Sequence, residues 1–203
     1  MIRLPRKLPS PRLLSLLLAA AAASCGGSGN PLENPGNISN PAGTSGSKLS
    51  FLYYQRCINP IFLAALPITL NGQTQLKTCS AAGCHDSLNG NGGAFRIIPT
   101  ATQVNVAAST PDAIRLTDMY KNFYSTQGET IIGSPGASLL LNKPLLLGVL
   151  HAGGQVFANG QDANAQRMAY WITNPMPAGQ DEFSPAGNSL FTPADATTGT
   201  CNG

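Results

Sequence analysis

Two cysteines and a histidine lie together in the segment CSAAGCH, which begins at Cys79. Cys84 is followed directly by His85, and four small residues separate it from Cys79. Two thiols with an imidazole beside the second are the set that forms thioethers with haem vinyl groups while the imidazole ligates iron. The segment therefore predicts one covalently attached haem c (iron), although the usual motif has two residues between the cysteines.

Two other interpretations of the same residues stay open. A disulfide between Cys79 and Cys84 would leave His85 as a surface residue. A zinc ion bound by these three residues, with either Cys57 or His151 as a fourth ligand, also satisfies tetrahedral coordination. Both alternatives predict a haem-free protein, so covalent haem is the property that separates them from the first interpretation.

The N-terminus has the pattern of a secretion signal. Residues 1–12 contain four basic and no acidic side chains, and an apolar run follows at 13–23. That run is shorter than the roughly 20 residues that a membrane-spanning helix needs. The small residues directly before Cys25 resemble the bacterial lipoprotein signal, except that alanine stands three residues ahead where leucine is commoner. We expect a signal peptide at 1–24, lipidation of Cys25, and export to the periplasmic or cell-surface face of a bacterial membrane.

Charge and composition then divide the rest of the chain. The four N-terminal cations account for the formal charge of +3, and without them eight basic and nine acidic side chains remain, a charge of −1. This composition gives no nucleic-acid-binding footprint. Residues 25–47 are almost entirely Gly, Ser, Asn and Pro and lack the apolar surface needed to fold. We expect a disordered tether there and one folded domain at 48–203.

The remaining cysteines are expected to close that domain. Once the first cysteine and the pair in the motif are assigned, Cys57 and Cys201 are left. An even remainder in an oxidising compartment predicts a disulfide. It would attach a loop-rich tail, which begins at about residue 174, to the start of the folded region.

Apolar spacing predicts helices on both sides of the motif. Ser50 is a capping residue for a helix over about 51–66. A second helix is predicted over about 111–124, behind a Thr-Pro pair suited to its first turn. The last helix is predicted over about 162–173. The fold class expected from these elements is mainly α, with long loops.

This order of elements resembles the small monohaem cytochrome c domain over about residues 49–173. The likeness to haem domains of exported bacterial lipoproteins is carried by three segments: CSAAGCHDSLNGNGGAFRI, SLLLNKPLLLGVLHAGGQVF and DANAQRMAYWI. The family implies a mainly α fold wrapped around the haem. It also implies one iron ligand beside the motif and a second in a loop before the last helix.

The resemblance makes His151 the expected second iron ligand. It lies in the loop before the last helix and is the only histidine besides His85. Ordinary family members use methionine there, and this sequence has none between Lys143 and Gln161. Met176, in a loop after the last helix, is the alternative second ligand. Bis-histidine ligation would favour a lower reduction potential than histidine and methionine together.

The function implied by the resemblance is that of a membrane-tethered c-type cytochrome. It would transfer single electrons through one haem, without transforming a substrate, to a redox partner that the sequence does not identify. A haem-free, disulfide-stapled lipoprotein acting as a binding or structural module is the alternative. A third possibility is a haem enzyme or gas sensor, which requires an open iron position.

Overall fold

The computed structural model describes residues 46–202. The predicted signal peptide, the lipidation site at Cys25 and nearly all of the predicted tether lie outside the described residues. Within residues 46–202, no helix is long and apolar enough to cross a membrane.

Short helices, one β-hairpin and long loops make up the described chain. The α-helical segments are α1 (Phe51–Tyr53), α2 (Asn59–Leu63), α3 (Pro111–Arg115), α4 (Asp118–Gln127), α5 (Leu139–Leu145) and α6 (Ala163–Thr173). A π-helical segment, Tyr54–Ile58, joins α1 to α2. Three 3₁₀ turns follow along the chain: Val106–Ala108, Pro135–Ala137 and Pro185–Leu190. The hairpin strands are β1 (Leu66–Leu70) and β2 (Gln73–Lys77).

The first helix begins as predicted and ends early. The Ser50 hydroxyl accepts a hydrogen bond from the Tyr53 N–H at 3.2 Å, which is the expected N-cap. The helix ends at Leu63 rather than near residue 66, because Ala64 is already extended with a ψ of 144°. A proline at position 67 also disfavours helical geometry in the residue before it.

The chain then enters a hairpin that was absent from the sequence prediction. Leu70 pairs with Gln73 across the turn, and both turn residues have positive φ, 51° at Asn71 and 75° at Gly72. Asn-Gly is the preferred pair for this type I′ turn, so the sequence did contain a hairpin signal.

The predicted single helix over 111–124 is wrong, because it is divided at Thr117. This residue is extended, and its hydroxyl oxygen accepts a hydrogen bond from the Tyr120 N–H at 3.2 Å. The same hydroxyl donates to the Ile114 carbonyl at 2.7 Å. One threonine therefore ends α3 and caps α4. The predicted last helix is confirmed as α6, with Asp162 as its N-cap.

The core forms where the N-terminal and C-terminal helices pack against α4. Trp171 of α6 is fully buried, and its indole N–H donates to the Ser50 carbonyl at 3.0 Å. Its ring centroid lies 5.5 Å from that of Tyr54 and 6.2 Å from that of Phe123. Aromatic pairs at such distances add stabilisation beyond the area they bury.

The disulfide between Cys57 and Cys201 is confirmed, with the two Cα atoms 5.6 Å apart. It links the π-helical segment of the first helix to the C-terminal tail. That tail is more than a loop, because it contributes several side chains to the core: Met176, Phe183, Leu190 and Phe191.

A buried carboxylate also attaches the tail to the helices. The Glu182 side chain is 5% exposed, and its Oε1 accepts hydrogen bonds from the Tyr120 hydroxyl at 2.8 Å and the Arg115 guanidinium at 3.2 Å. Burial opposes ionisation of Glu182. Hydrogen bonds from its own backbone and from Tyr120, together with the positive charge of Arg115, outweigh that effect and lower its pKa.

We predict that Glu182→Gln lowers the free energy of unfolding by about 1–3 kcal/mol at neutral pH, because charge-assisted hydrogen bonds are lost. Because the pKa of Glu182 is lower in the folded protein, its carboxylate stabilises the fold fully at a pH above the unfolded-state pKa of about 4.3. This stabilisation disappears as the pH falls through the folded-state pKa. Urea unfolding of both proteins at pH 7 and at about pH 2 measures the effect. The difference should be large at pH 7 and small in acid.

Asp112→Asn is the matched control, since Asp112 contacts the same Arg115 at 3.3 Å but its side chain is 97% exposed. Exposed ion pairs contribute little to stability. Equal losses in the two variants at pH 7 would contradict the role of the buried carboxylate.

Candidate functional site

A cavity of about 460 Å³ lies among the hairpin, the CSAAGCH segment, α5 and the loop before α6. Its size is within the range of small-molecule and cofactor sites. Much of its wall is apolar, with these members: Phe62, Ile68, Phe95, Leu140, Val156, Phe157 and Met168. Cys79, Cys84, His85 and His151 line the same cavity. The structure therefore brings together the four residues that the sequence predicted for haem attachment and ligation.

Backbone hydrogen bonds fold the motif into a tight turn. The Ser80 N–H donates to the Phe62 carbonyl at 3.1 Å, which attaches the turn to α2. The His85 N–H donates to the Cys79 carbonyl at 2.9 Å. Four residues between the cysteines are thus accommodated by a turn that keeps both thiols at the cavity wall.

The ring of His85 is oriented by the segment at 95–98, which follows the glycine-rich loop at 89–93. Its Nδ1 lies 3.1 Å from the Phe95 carbonyl oxygen, and the His85 carbonyl accepts from the Ile97 N–H at 2.7 Å. Asn122 of α4 anchors this segment through two hydrogen bonds with the Ile98 backbone, at 2.7 and 3.0 Å. The position of the imidazole is therefore fixed through α4.

The ring of His151 is oriented in a similar way on the opposite side. Its Nδ1 lies 2.7 Å from the Gly154 carbonyl oxygen, and the Gly154 N–H donates to the His151 carbonyl at 2.9 Å. A carbonyl oxygen only accepts, so Nδ1 carries the hydrogen in both His85 and His151. In the neutral imidazole with this tautomer, Nε2 has the lone pair, which is the arrangement of a metal-ligating histidine.

The two imidazoles are nearly parallel, with an interplanar angle of 13° and ring centroids 6.1 Å apart. Two metal–nitrogen bonds of about 2 Å each, plus the distance from each nitrogen to its ring centre, place the centroids of linear bis-imidazole ligands about 6 Å apart. The observed separation equals that requirement. The distance between the rings of His85 and His151 is therefore compatible with one shared iron ion.

The electrostatics of the site favour the neutral form of His85. Burial lowers the pKa of His85, and the nearby cations of Lys143 and Arg96 act in the same direction, against the hydrogen bond to Phe95. A neutral imidazole is the form that binds metal. Burial also raises the pKa of the Cys79 thiol to about 11, and neighbouring Cys84 contributes. Both cysteines are free thiols.

The other predicted candidates lie elsewhere. Met176 is 2% exposed and packs in the core, where its backbone N–H donates to the Lys48 carbonyl; it does not line the cavity. Cys57 is held in the disulfide with Cys201, which removes it as a fourth zinc ligand. Between residues 46 and 202, no cluster of three or more His, Cys, Asp or Glu side chains is arranged to hold a metal ion.

Comparison with protein-family models, with curated proteins and with solved structures gave no match to this chain. The assignment of the site therefore depends on the chemistry and geometry of its own residues.

Two glycines near His85 pack closely against the CSAAGCH segment and were not among the predicted site residues. A Cβ at Gly92 would collide with His85 Nδ1 and lie 2.8 Å from the Cys84 carbonyl oxygen. A Cβ at Gly90 would lie 2.6 Å from Arg96 Nη1. The glycine-rich run at 89–93 is the sequence signal for this close approach, because only glycine allows the backbone to lie so close to the His85 ring.

Proposed function

We propose that this protein is an exported single-electron carrier with one haem c, attached through Cys79 and Cys84 and ligated by His85 and His151. The observation that carries the proposal is the pair of near-parallel imidazoles, 6.1 Å apart, each with Nδ1 bonded to a backbone carbonyl. Such carbonyl bonds fix the tautomer and raise the basicity of the ligating nitrogen.

The fit to a covalent haem has independent support. The cavity is mostly apolar, and two free thiols line it together with His85. Bound haem supplies an iron that alternates between ferric and ferrous states. The chain orients both imidazoles and lines the cavity largely with apolar side chains.

The role of electron carrier is preferred over that of haem enzyme or gas sensor. His85 and His151 line the same cavity with ring centroids 6.1 Å apart, so the chain supplies two imidazoles that would hold the iron of a bound haem. A haem held by both imidazoles would have no open iron position for a substrate or gas. Free thiols at Cys79 and Cys84 likewise favour the carrier over the haem-free module, which needs a bridge between them.

The cellular setting completes the proposal. The N-terminal pattern favours export and attachment to a bacterial membrane through lipidated Cys25, with the haem domain on the periplasmic or cell-surface side. A covalent haem requires such a compartment for maturation. The redox partner would be another protein at the same membrane.

The direct experiment is expression of the full chain in a bacterial host with c-type maturation, followed by a pyridine haemochrome spectrum and intact mass. We expect one haem per chain that survives acid-acetone extraction and denaturation. Cys84→Ala should retain at most one thioether and shift the haemochrome band. A wild-type protein without covalent haem, in a host that matures a control cytochrome, would overturn the proposal.

Gly92→Ala tests the close approach at His85. A methyl group at this position collides with Nδ1, so we expect the ring to leave the Phe95 carbonyl and haem incorporation to fall at least about ten-fold, the consequence of losing one orienting contact of a ligand. Haem content per chain is measured by the haemochrome band.

Gly160→Ala is the control, because no atom lies within 4 Å of a Cβ there and its φ is ordinary. Wild-type haem content in both variants would show that the glycine loop does not position His85.

A further inference from the structure

We infer that the β-hairpin Leu66–Lys77 is a strap that holds His151 in place as the second iron ligand, acting through Thr69. This inference rests on the proposed function and concerns the regulation of the same site. It makes Thr69 and Gly154 positioning residues, because they act on the iron through His151.

The register of the hairpin directs Thr69 away from its partner strand. Leu70 pairs with Gln73 next to the turn, and antiparallel pairs alternate between hydrogen-bonded and non-hydrogen-bonded. The Thr69 pair with Thr74 is therefore non-hydrogen-bonded, and the Thr69 N–H and C=O face the outer edge. Pro67, which has no N–H, occupies the equivalent outer position nearer the start of β1. Of these two outward-facing residues of β1, Thr69 is therefore the one with both a backbone N–H donor and a carbonyl acceptor.

The outer edge of Thr69 meets the loop of the second ligand. The Thr69 N–H donates to the Gln155 carbonyl, and the Gln155 N–H donates to the Thr69 carbonyl, both at 2.8 Å. These two bonds are the only hydrogen bonds that join the hairpin to other parts of the described chain. We call this pair of bonds the seam.

The seam ends one residue from the group that orients His151. Gly154 precedes Gln155, and its carbonyl accepts the hydrogen bond from His151 Nδ1 at 2.7 Å. Gly154 has a φ of +86°, and a Cβ on it would collide with the Thr69 carbonyl oxygen. The hairpin backbone therefore packs directly against the residue that fixes the tautomer and direction of the ring.

The hairpin also joins the two halves of the site along the chain. Its second strand ends at Lys77, and Thr78 alone separates that strand from Cys79. Both strands contribute to the cavity wall, through Ile68 and Leu70 of β1 and Gln75 of β2. The hairpin thus connects the CSAAGCH segment to the loop that contains His151. Loosening the seam is expected to let His151 leave iron while His85 stays bound.

The test uses the matured full chain and breaks the seam from each side. Thr69→Pro removes the N–H donor, and Gly154→Ala introduces a methyl group against the Thr69 carbonyl. We expect both variants to keep covalent haem, to gain a high-spin fraction in the visible spectrum, and to bind carbon monoxide at least about ten-fold faster after reduction. His151→Ala gives the spectrum of the fully open site for comparison.

Two control variants separate the seam from general disturbance. Thr74→Ala removes the 2.8 Å bond between the two threonine hydroxyls but leaves the seam. Gly148→Ala places a side chain at a φ of +70°, with no atom within 4 Å, and so reproduces the backbone strain of Gly154→Ala without its contact. Both controls should keep wild-type spectra and carbon monoxide rates.

The outcomes distinguish this inference from the proposed function. Absence of covalent haem in the wild type overturns both. If haem is attached and His151→Ala opens the site, seam variants with wild-type spectra and rates overturn the strap alone. If Thr69→Pro does not fold, Gly154→Ala measured against Gly148→Ala decides between these results.

Discussion

Replacing His151 with alanine is expected to open the iron of the matured protein to carbon monoxide. The wild-type protein should bind the gas slowly after reduction, because the ring of His151 must first leave. We expect His151→Ala to bind at least about 100-fold faster, the gain for a site whose open form is otherwise about 1% populated. Its oxidised visible spectrum should change from low-spin to high-spin. Stopped-flow mixing of the reduced proteins with carbon monoxide measures the rates.

Met176→Leu is the matched control for the competing ligand. Met176 is buried in the core and does not line the cavity, so leucine should preserve packing, spectrum and rate. Rapid carbon monoxide binding by the wild type would contradict ligation by His151. Opening of the site by Met176→Leu, with His151→Ala unchanged, would assign the ligand to methionine.

Removing the disulfide is expected to cause the largest loss of stability. Cys57 and Cys201 are separated by 144 positions, so the bridge restricts the unfolded chain over nearly its whole folded length. Loss of a native disulfide from a small secreted domain typically costs about 2–5 kcal/mol. We expect the double variant Cys57→Ser/Cys201→Ser to lose this amount in guanidinium unfolding followed by tryptophan fluorescence, since Trp171 is buried in the core.

The double variant is preferred because a single free cysteine could pair wrongly with the thiols of the motif. The control is the single variant Ser189→Ala in the tail, since the Ser189 side chain makes only a local hydrogen bond with the Ala186 carbonyl. A loss below about 1 kcal/mol in the double variant would show that the tail stays docked without the bridge.

The sequence predicted those features that depend on local chemistry. Ser50 is recognisable as a helix cap because its side chain acts within one turn. The pairing of Cys57 with Cys201 followed from counting cysteines and expecting an oxidising compartment, and the structure confirms the pairing. The split at Thr117 was missed because the Thr-Pro pair indicates a helix start and the apolar spacing then continues through Thr117. Threonine can also cap a second helix, as it does here.

The features that sequence could not supply depend on distant contacts. Nothing in the sequence around His151 predicts that Gly154 packs against Thr69, which lies 85 positions earlier in the chain. The Asn-Gly turn signals the hairpin itself, but the edge that Thr69 presents and the loop it meets depend on packing. The separation of the two imidazoles is likewise a tertiary result, because the positions 85 and 151 belong to different segments.

The central claim is that a haem is attached to Cys79 and Cys84, and a single peptide mass tests it most directly. Trypsin cleaves after Lys77 and Arg96, so the fragment 78–96 contains both thiols and His85. In the matured protein, digested without reductant, we expect this fragment to carry the mass of one haem through two thioethers. A fragment two hydrogens lighter than its free form, or one with two unmodified thiols, would contradict the account.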